Sequence, residues 1–340
     1  NVQDGTDGQN TDANGTNNQD SGDTNDTNDA ALAGEGSTQS QDSSSESDDA
    51  GADTGTAAMG EVESWKSINL LNAREKRQSY NRQNRRRKYL ENNFYRDLKS
   101  DYTELAARLT RLADKLKGRD IKLIEFALIK EIDDFAPELQ KTLKRHMRYT
   151  LEDFGNVIFG NAKSLNIGKE TKANLKYDSY IEAYIKQHSA TQIRTINSTN
   201  EKVVKRVISE WIQETISAGD SLPELSKFLE MEFEDLTPAN ARRIARTEVS
   251  MASNNGSLEA VKSLQVPGIF KEWVSANDDR VRDGDHGYAD HVAANGQEVP
   301  LDEKFTVPPD ASMDGPGDSS ATPDQFINCR CVLVYKQKGD

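Results

Sequence analysis

Residues 94–118, FYRDLKSDYTELAARLTRLADKLKG, place apolar side chains at Phe94, Leu98, Tyr102, Leu105, Leu109, Leu112 and Leu116, in steps of 4, 4, 3, 4, 3 and 4. That spacing returns one side chain per helical turn and draws a narrow apolar stripe, as on a coiled coil or a long bundle helix. Gly118 closes the run where a left-handed residue commonly ends a helix. Leu139, Leu143, Met147, Leu151 and Phe154 form a second stripe behind Pro137, whose fixed φ suits a first helical turn, so a helix is predicted to start there. Between the two, residues 121–132 read as a shorter helix, apolar on more than one face. These stripes are packing surfaces rather than sites.

Further along, residues 160–175 mix Gly, Asn and Ser with scattered charges and read as a loop. Val203, Val204, Val207, Ile208, Trp211 and Ile212 make a wide apolar helical face, with Lys202, Lys205 and Arg206 opposite. Ser221 with Glu224 has the form of a capping box opening a short helix through Leu229. Thr237 and Pro238 form a second start signal, for a helix running to about Leu264. Six of the nine prolines lie at or after Pro267, which argues against long helices in that quarter. Residues 270–274, 297–301 and 329–335 are β-like, and 307–323 read as one long loop. The fold class expected is α+β: an extended, mainly α-helical region followed by a small α+β C-terminal module.

Charge divides the chain more sharply than hydrophobicity does. Lys and Arg total 43 against 57 Asp and Glu, for a net −14. Residues 1–59 hold 13 of those carboxylates and no Lys, Arg or aromatic residue, so they carry −13 and leave only −1 for the rest. A segment of Asn, Asp, Gly, Ser and Thr buries too little to offset the entropy of ordering it, and is expected to be a disordered acidic tail or linker. The remainder divides into 60–165, helical and holding a basic segment at 74–88; 176–264, helical; and 265–340, short-stranded and loop-rich. No apolar run is long enough to span a membrane. Two Cys do not make a disulfide framework. The opening on Asn1 suggests a piece of something longer, with Met59 as an alternative internal start.

Within the basic segment, Arg74, Lys76, Arg77, Arg82, Arg85, Arg86, Arg87 and Lys88 face a single Glu75, a net +7. Such a block suits nucleic acid or an acidic protein surface, although a solvated helix face that also neutralises the acidic tail is the plainer reading. If DNA is the partner, about 5–7 phosphate contacts give a log–log salt slope of roughly −4 to −6.

The C-terminal module concentrates the remaining chemistry. Asp278, Asp279, Arg280, Arg282, Asp283, Asp285, His286, Asp290 and His291 lie within 14 residues, and Cys329 and Cys331 follow. His286 or His291 with the two Cys is a legal zinc ligand set. The Cys-x-Cys spacing is weaker than Cys-x2-Cys, because alternate residues of a strand merely share a face. Two small buried side chains on a final strand are therefore the plainer reading, and no cofactor other than zinc is suggested. The Asp residues with a His as general base also admit a metal-dependent nuclease, but Asp-rich turns are ordinary in loops. No phosphate loop, nucleophile elbow or HExxH helix occurs, and catalysis is not expected. In the preceding helix, Arg246 and Glu248 are two apart and face different ways. Each is expected to reach the C-terminal module, Glu248 towards Arg280 or Arg282.

Taken in order, the helix ARRIARTEVSMASNNGSLEAVKSL, the segment KEWVSANDDRVRDGDHGYADHVAANGQEVPLDEKF and the closing PDQFINCRC resemble the phage head morphogenesis, or minor head protein, family typified by the Mu F protein. Its pattern falls on Arg246, Thr247, Glu248, Asn254, Trp273, Asp278, Arg280, Arg282, His291, Gly296, Asn328, Cys329 and Cys331, across about residues 238–335. In the family the His follows the second Arg closely. Here residues 283–290 intervene, so His286 and His291 both compete for that place, and the spacing to Gly296 favours His291. The resemblance implies a non-enzymatic component of a virion, assembled in the host cytoplasm, at the portal vertex or capsid interior. Its implied partners are the portal protein and other capsid or scaffold proteins, with DNA as a further candidate. Such proteins are often encoded beside or fused behind the portal protein, which would account for residues 1–59. The competing reading is a metal-dependent nuclease or toxin-like effector carried in the capsid.

Overall fold

The computed structural model describes residues 73–164, 170–218, 224–285 and 289–337, all within the unit Met59–Asp340. The acidic tail, Ser221 and His286 lie outside the described residues.

Four long helices come first: α1 (Ala73–Lys115), α2 (Ile121–Ser164), α3 (Glu170–Ala218) and α4 (Leu225–Ser263). At 1.5 Å per residue each spans roughly 60–75 Å. Neighbours pack in a ring, α1 on α2, α2 on α3, α3 on α4 and α4 on α1, while α2 and α4 also meet across the middle. The 94–118 stripe is the buried face of α1, with Phe94, Leu98, Leu105 and Leu109 fully enclosed. Val204, Val207 and Ile208 are the buried part of the wide face on α3.

Two predicted helix starts are overturned. Pro137 and Pro238 lie inside α2 and α4, not at their first turns. Phase explains why. Ile124, Leu128, Ile132, Phe135, Leu139, Leu143, Met147 and Leu151 are all buried and run through Pro137 as one unbroken stripe. Burying each contributes about 1.5–3 kcal/mol, against a single interior proline costing about 3 kcal/mol. In α4, Leu229, Phe233, Thr237, Ala241 and Ala245 carry a four-residue repeat across Pro238 in the same way. The predicted 160–175 loop also shrinks, since α2 runs to Ser164 and α3 begins at Glu170.

The C-terminal module is a three-stranded antiparallel sheet, ordered β2 (Glu298–Pro300), β1 (Ile269–Val274), β5 (Val332–Gln337). Trp273 pairs with Leu333 and Val274 with Val332 across the centre. The predicted long loop at 307–323 is partly a hairpin: β3 (Phe305–Val307) pairs with β4 (Ala311–Met313) and buries Phe305, Val307 and Met313. Alternation of buried and exposed residues over so few positions was masked by the surrounding Pro and Gly. Two one-turn helices, α5 (His291–Ala294) and α6 (Pro323–Phe326), complete the module. No helix among the described residues is long and apolar enough to cross a membrane.

Candidate functional site

The polar residues singled out in the sequence meet where the second half of α4 faces the sheet. Asn254, on α4, is buried and uses its whole amide. Its Nδ2 donates to the carbonyls of Pro316 (2.8 Å) and Cys331 (3.1 Å), and its Oδ1 accepts from the Leu333 amide (3.2 Å) and from Arg87 Nη2 (2.7 Å). Two donors and two lone pairs are all this side chain has, so no other residue type reproduces the junction.

Arg87 arrives from α1 and is only 2% exposed. Its Nε donates to Ser253 Oγ (2.6 Å) and its Nη1 to the Cys331 carbonyl (2.8 Å). Burial pulls its pKa down. The guanidinium thereby ties α1, α4 and the lead into β5 to one point. It is therefore not available to a nucleic acid, which corrects its assignment to the basic surface.

Other members of the segment are also engaged. Lys76 pairs with Glu272 at 2.6 Å, Arg77 donates to the Ala276 carbonyl at 2.6 Å, and Arg86 forms a two-pronged ion pair with Asp153. Arg74, Arg82, Arg85 and Lys88 are exposed.

Along α4 the three residues Arg246, Thr247 and Glu248 diverge. Arg246 lies 4.0 Å from Glu91 on α1. Thr247 Oγ1 accepts from the Asn328 amide at 3.0 Å, where the backbone has φ +57, a conformation Asn tolerates better than most residues. Glu248 does not reach Arg280 or Arg282. Its Oε2 meets His188 Nε2 on α3 at 2.9 Å, with both side chains buried. Successive helical residues point about 100° apart, so once Thr247 faces the module Glu248 must face α3. Burial acts to lower the His188 pKa, but the Glu248 carboxylate outweighs it, and the net shift is upward.

In the Asp-x-Arg-x-Arg run, Asp278 pairs with a side chain and Arg282 serves the backbone. Asp278 is gripped by both nitrogens of Arg330, at 2.5 and 2.6 Å, and that contact holds its carboxyl below the usual range. Arg282 donates to the Ile327 carbonyl, while its own carbonyl accepts from the amides of His291 (2.8 Å) and Val292 (3.0 Å). The Arg280 amide donates to Asp278 Oδ1 at 3.2 Å. Asp290 caps α5 by accepting from the Ala293 amide at 2.7 Å. Gly296, at φ +81, donates its amide to the Trp273 carbonyl at 2.8 Å.

Trp273 is fully buried, edge-on to the His291 ring at 5.1 Å and to Phe305 at 5.5 Å. His291 Nδ1 lies 3.7 Å from Cys329 Sγ and 3.6 Å from Cys331 Sγ. Both thiols are free and buried. Contact with the Cys331 side chain holds the Cys329 thiol low, and the same contact together with burial pushes Cys331 up. Among the described residues, His291, Cys329 and Cys331 are the one His/Cys/Asp/Glu group arranged to hold a metal ion. His291 is thus brought to both sulfurs, while His286, the other histidine weighed for that set, lies outside the described residues.

Sequence reasoning missed His188, which pairs with Glu248 from 60 residues away. It missed Gln325, whose Oε1 meets His291 Nε2 at 3.3 Å. It also missed Lys336, buried against Glu272 at 3.3 Å. None of the three sits in a local pattern. Arg87 did leave a signal, because Tyr80, Arg87 and Phe94 are spaced by seven and so fall on one helix face.

Residues 206–334 match the family model described as phage Mu protein F like protein. No curated protein and no solved structure matches the chain. The matched stretch contains every motif residue above and all of α4, but neither Arg87 nor His188.

Proposed function

We propose that this chain, whose residues 206–334 belong to the phage Mu F-like family, is a minor head protein: a structural component built into the phage procapsid. The observation that carries the reading is the direction in which the motif residues point. Asn254, Thr247, Trp273, Arg282 and Asn328 close on one another and on main-chain groups, so they specify a fold. Residues that bind substrate converge on a cleft instead. Two of the carboxylates a hydrolytic reading would draw on are already engaged, Asp278 with Arg330 and Asp290 as a helix cap.

In this reading the motif module is a rigid head for four long helices, whose outer faces meet the portal protein or neighbouring capsid and scaffold proteins. In this reading the exposed cations Arg74, Arg85 and Lys88 are the ones that meet DNA. The protein is then made in the host cytoplasm and retained in the virion. Co-expression with the portal protein tests the contact: the two are expected to co-purify through size exclusion at moderate salt. Quantitative separation at every salt concentration would refute the portal contact.

A further inference from the structure

We infer that His291, Cys329 and Cys331 form a zinc site inside the C-terminal module, supplying three of its ligands. This is independent of the head-protein reading. Three observations carry it.

The first is spacing. In a tetrahedral site with Zn–S near 2.3 Å and Zn–N near 2.05 Å, the nitrogen and each sulfur stand about 3.5 Å apart. His291 Nδ1 is 3.7 Å from one thiol and 3.6 Å from the other, and the three ligand atoms all lie within 4.8 Å of one another.

The second is the state of the imidazole. Gln325 Nε2 donates to the Pro308 carbonyl at 3.3 Å, which leaves Oε1 as the acceptor facing His291 Nε2 at 3.3 Å. With the proton on Nε2, the Nδ1 lone pair faces both sulfurs. Histidines that ligate zinc are oriented in this way, with the remote N–H held by an oxygen acceptor.

The third is rigidity and enclosure. His291 is fixed at the start of α5 by its amide on the Arg282 carbonyl, and the Cys pair by Arg87 and Asn254 on the Cys331 carbonyl. All three ligand residues are 3% exposed or less. A nucleophilic thiol needs an approach path for its substrate, whereas a structural metal needs only ligands. Zinc with two thiolates and a neutral imidazole is also electrically neutral, which avoids leaving a net charge in the interior. The Cys-x-Cys spacing is no obstacle, since the third ligand comes from a separate segment and closes the angle that the pair alone leaves open.

Elemental analysis of the full chain, expressed with zinc and exchanged into metal-free buffer, is expected to find about one zinc per chain. Cys329→Ser, Cys331→Ser and His291→Ala are each expected to lose most of it. Because these variants can misfold, the reduced, metal-stripped wild-type chain is also titrated with Co2+. A saturable thiolate-to-cobalt charge-transfer band with tetrahedral d–d bands at one equivalent is expected, displaced by Zn2+. Zinc well below stoichiometry together with no charge-transfer band would overturn the inference and leave two buried thiols. Full zinc retention in a folded Cys329→Ser/Cys331→Ser double variant would overturn it as well.

Discussion

Arg87 Nη2 donates to Asn254 Oδ1 at 2.7 Å, joining a residue before the Mu F-like stretch to the amide that organises it. The matched residues 206–334 therefore do not fill their own junction; α1 supplies the guanidinium that does. Removing it takes one hydrogen bond each from Asn254 Oδ1, the Cys331 carbonyl and Ser253 Oγ, although each keeps another partner. Buried hydrogen bonds to a charged group each contribute about 1.5–3 kcal/mol, so Arg87→Ala is expected to lower unfolding free energy by about 3–5 kcal/mol. Arg85→Ala, two residues away and exposed, is expected to stay within about 0.5 kcal/mol of wild type. Urea denaturation of both variants checks the contrast, and equal stabilities would remove Arg87 from this role.

The His188–Glu248 pair gives a pH dependence with a definite sign. Its folded pKa lies above the ordinary 6.5 of the free side chain. The stabilisation is therefore fully present below that value and is lost as pH rises through the folded pKa. His146 behaves oppositely: burial lowers its pKa despite Asp97 at 2.9 Å, so its protonation opposes folding as pH falls. With four histidines in the chain, ring-proton NMR can follow each one. His188 is expected to titrate above 6.5 and His146 below it. In Glu248→Gln, His188 is expected to drop and the protein to lose about 1–3 kcal/mol. An unmoved His188 would show that Glu248 does not set its charge.

DNA binding, if it is present, is weaker in salt dependence than the raw charge of residues 74–88 suggests. Lys76, Arg77, Arg86 and Arg87 are engaged within the protein. Arg74, Arg85 and Lys88 then neutralise about three phosphates, for a log–log slope of roughly −2 to −3 rather than −4 to −6. Fluorescence anisotropy on a short duplex from low to moderate salt measures it. A triple Arg74→Gln/Arg85→Gln/Lys88→Gln variant is expected to flatten the slope by about 2–3. An unchanged slope would place the DNA contact elsewhere.

Two glycines of α2 are expected to respond with opposite sign. A Cβ on Gly155 would stand 2.3 Å from the Tyr177 ring, where α2 and α3 approach closely, whereas one on Gly160 would meet nothing within 4 Å. Gly160→Ala is expected to stabilise by up to about 1 kcal/mol through helix propensity. Gly155→Ala is expected to destabilise by about 1–3 kcal/mol through overpacking. Thermal unfolding of the two variants, read side by side, checks the close approach; stabilisation by both would contradict it.

The helical stripes were legible because burial repeats once per turn, and Phe94 to Leu109 could be placed on a helix face from spacing alone. The same periodicity contained the answer at Pro137 and Pro238, where apolar residues stay in phase across the proline and packing outweighs the local break. What the sequence conceals is partnership between distant segments. Arg87 looks like its neighbours Arg85 and Arg86 until its phase with Phe94 is considered. Glu248 has two adjacent candidates in the Arg280–Arg282 run, yet a helix turns it towards His188. The terminal Cys-x-Cys was ambiguous for the same reason, since only the fold brings His291 within 3.7 Å of both sulfurs.

The claim that this protein is built into phage heads is tested most directly by quantitative mass spectrometry of procapsids purified from the producing cell. The account predicts peptides from residues 73–337 in the particles, in low and reproducible copy number relative to the major capsid protein, and retained after high-salt washing. Procapsids that lack these peptides while the protein accumulates free in the lysate would contradict it.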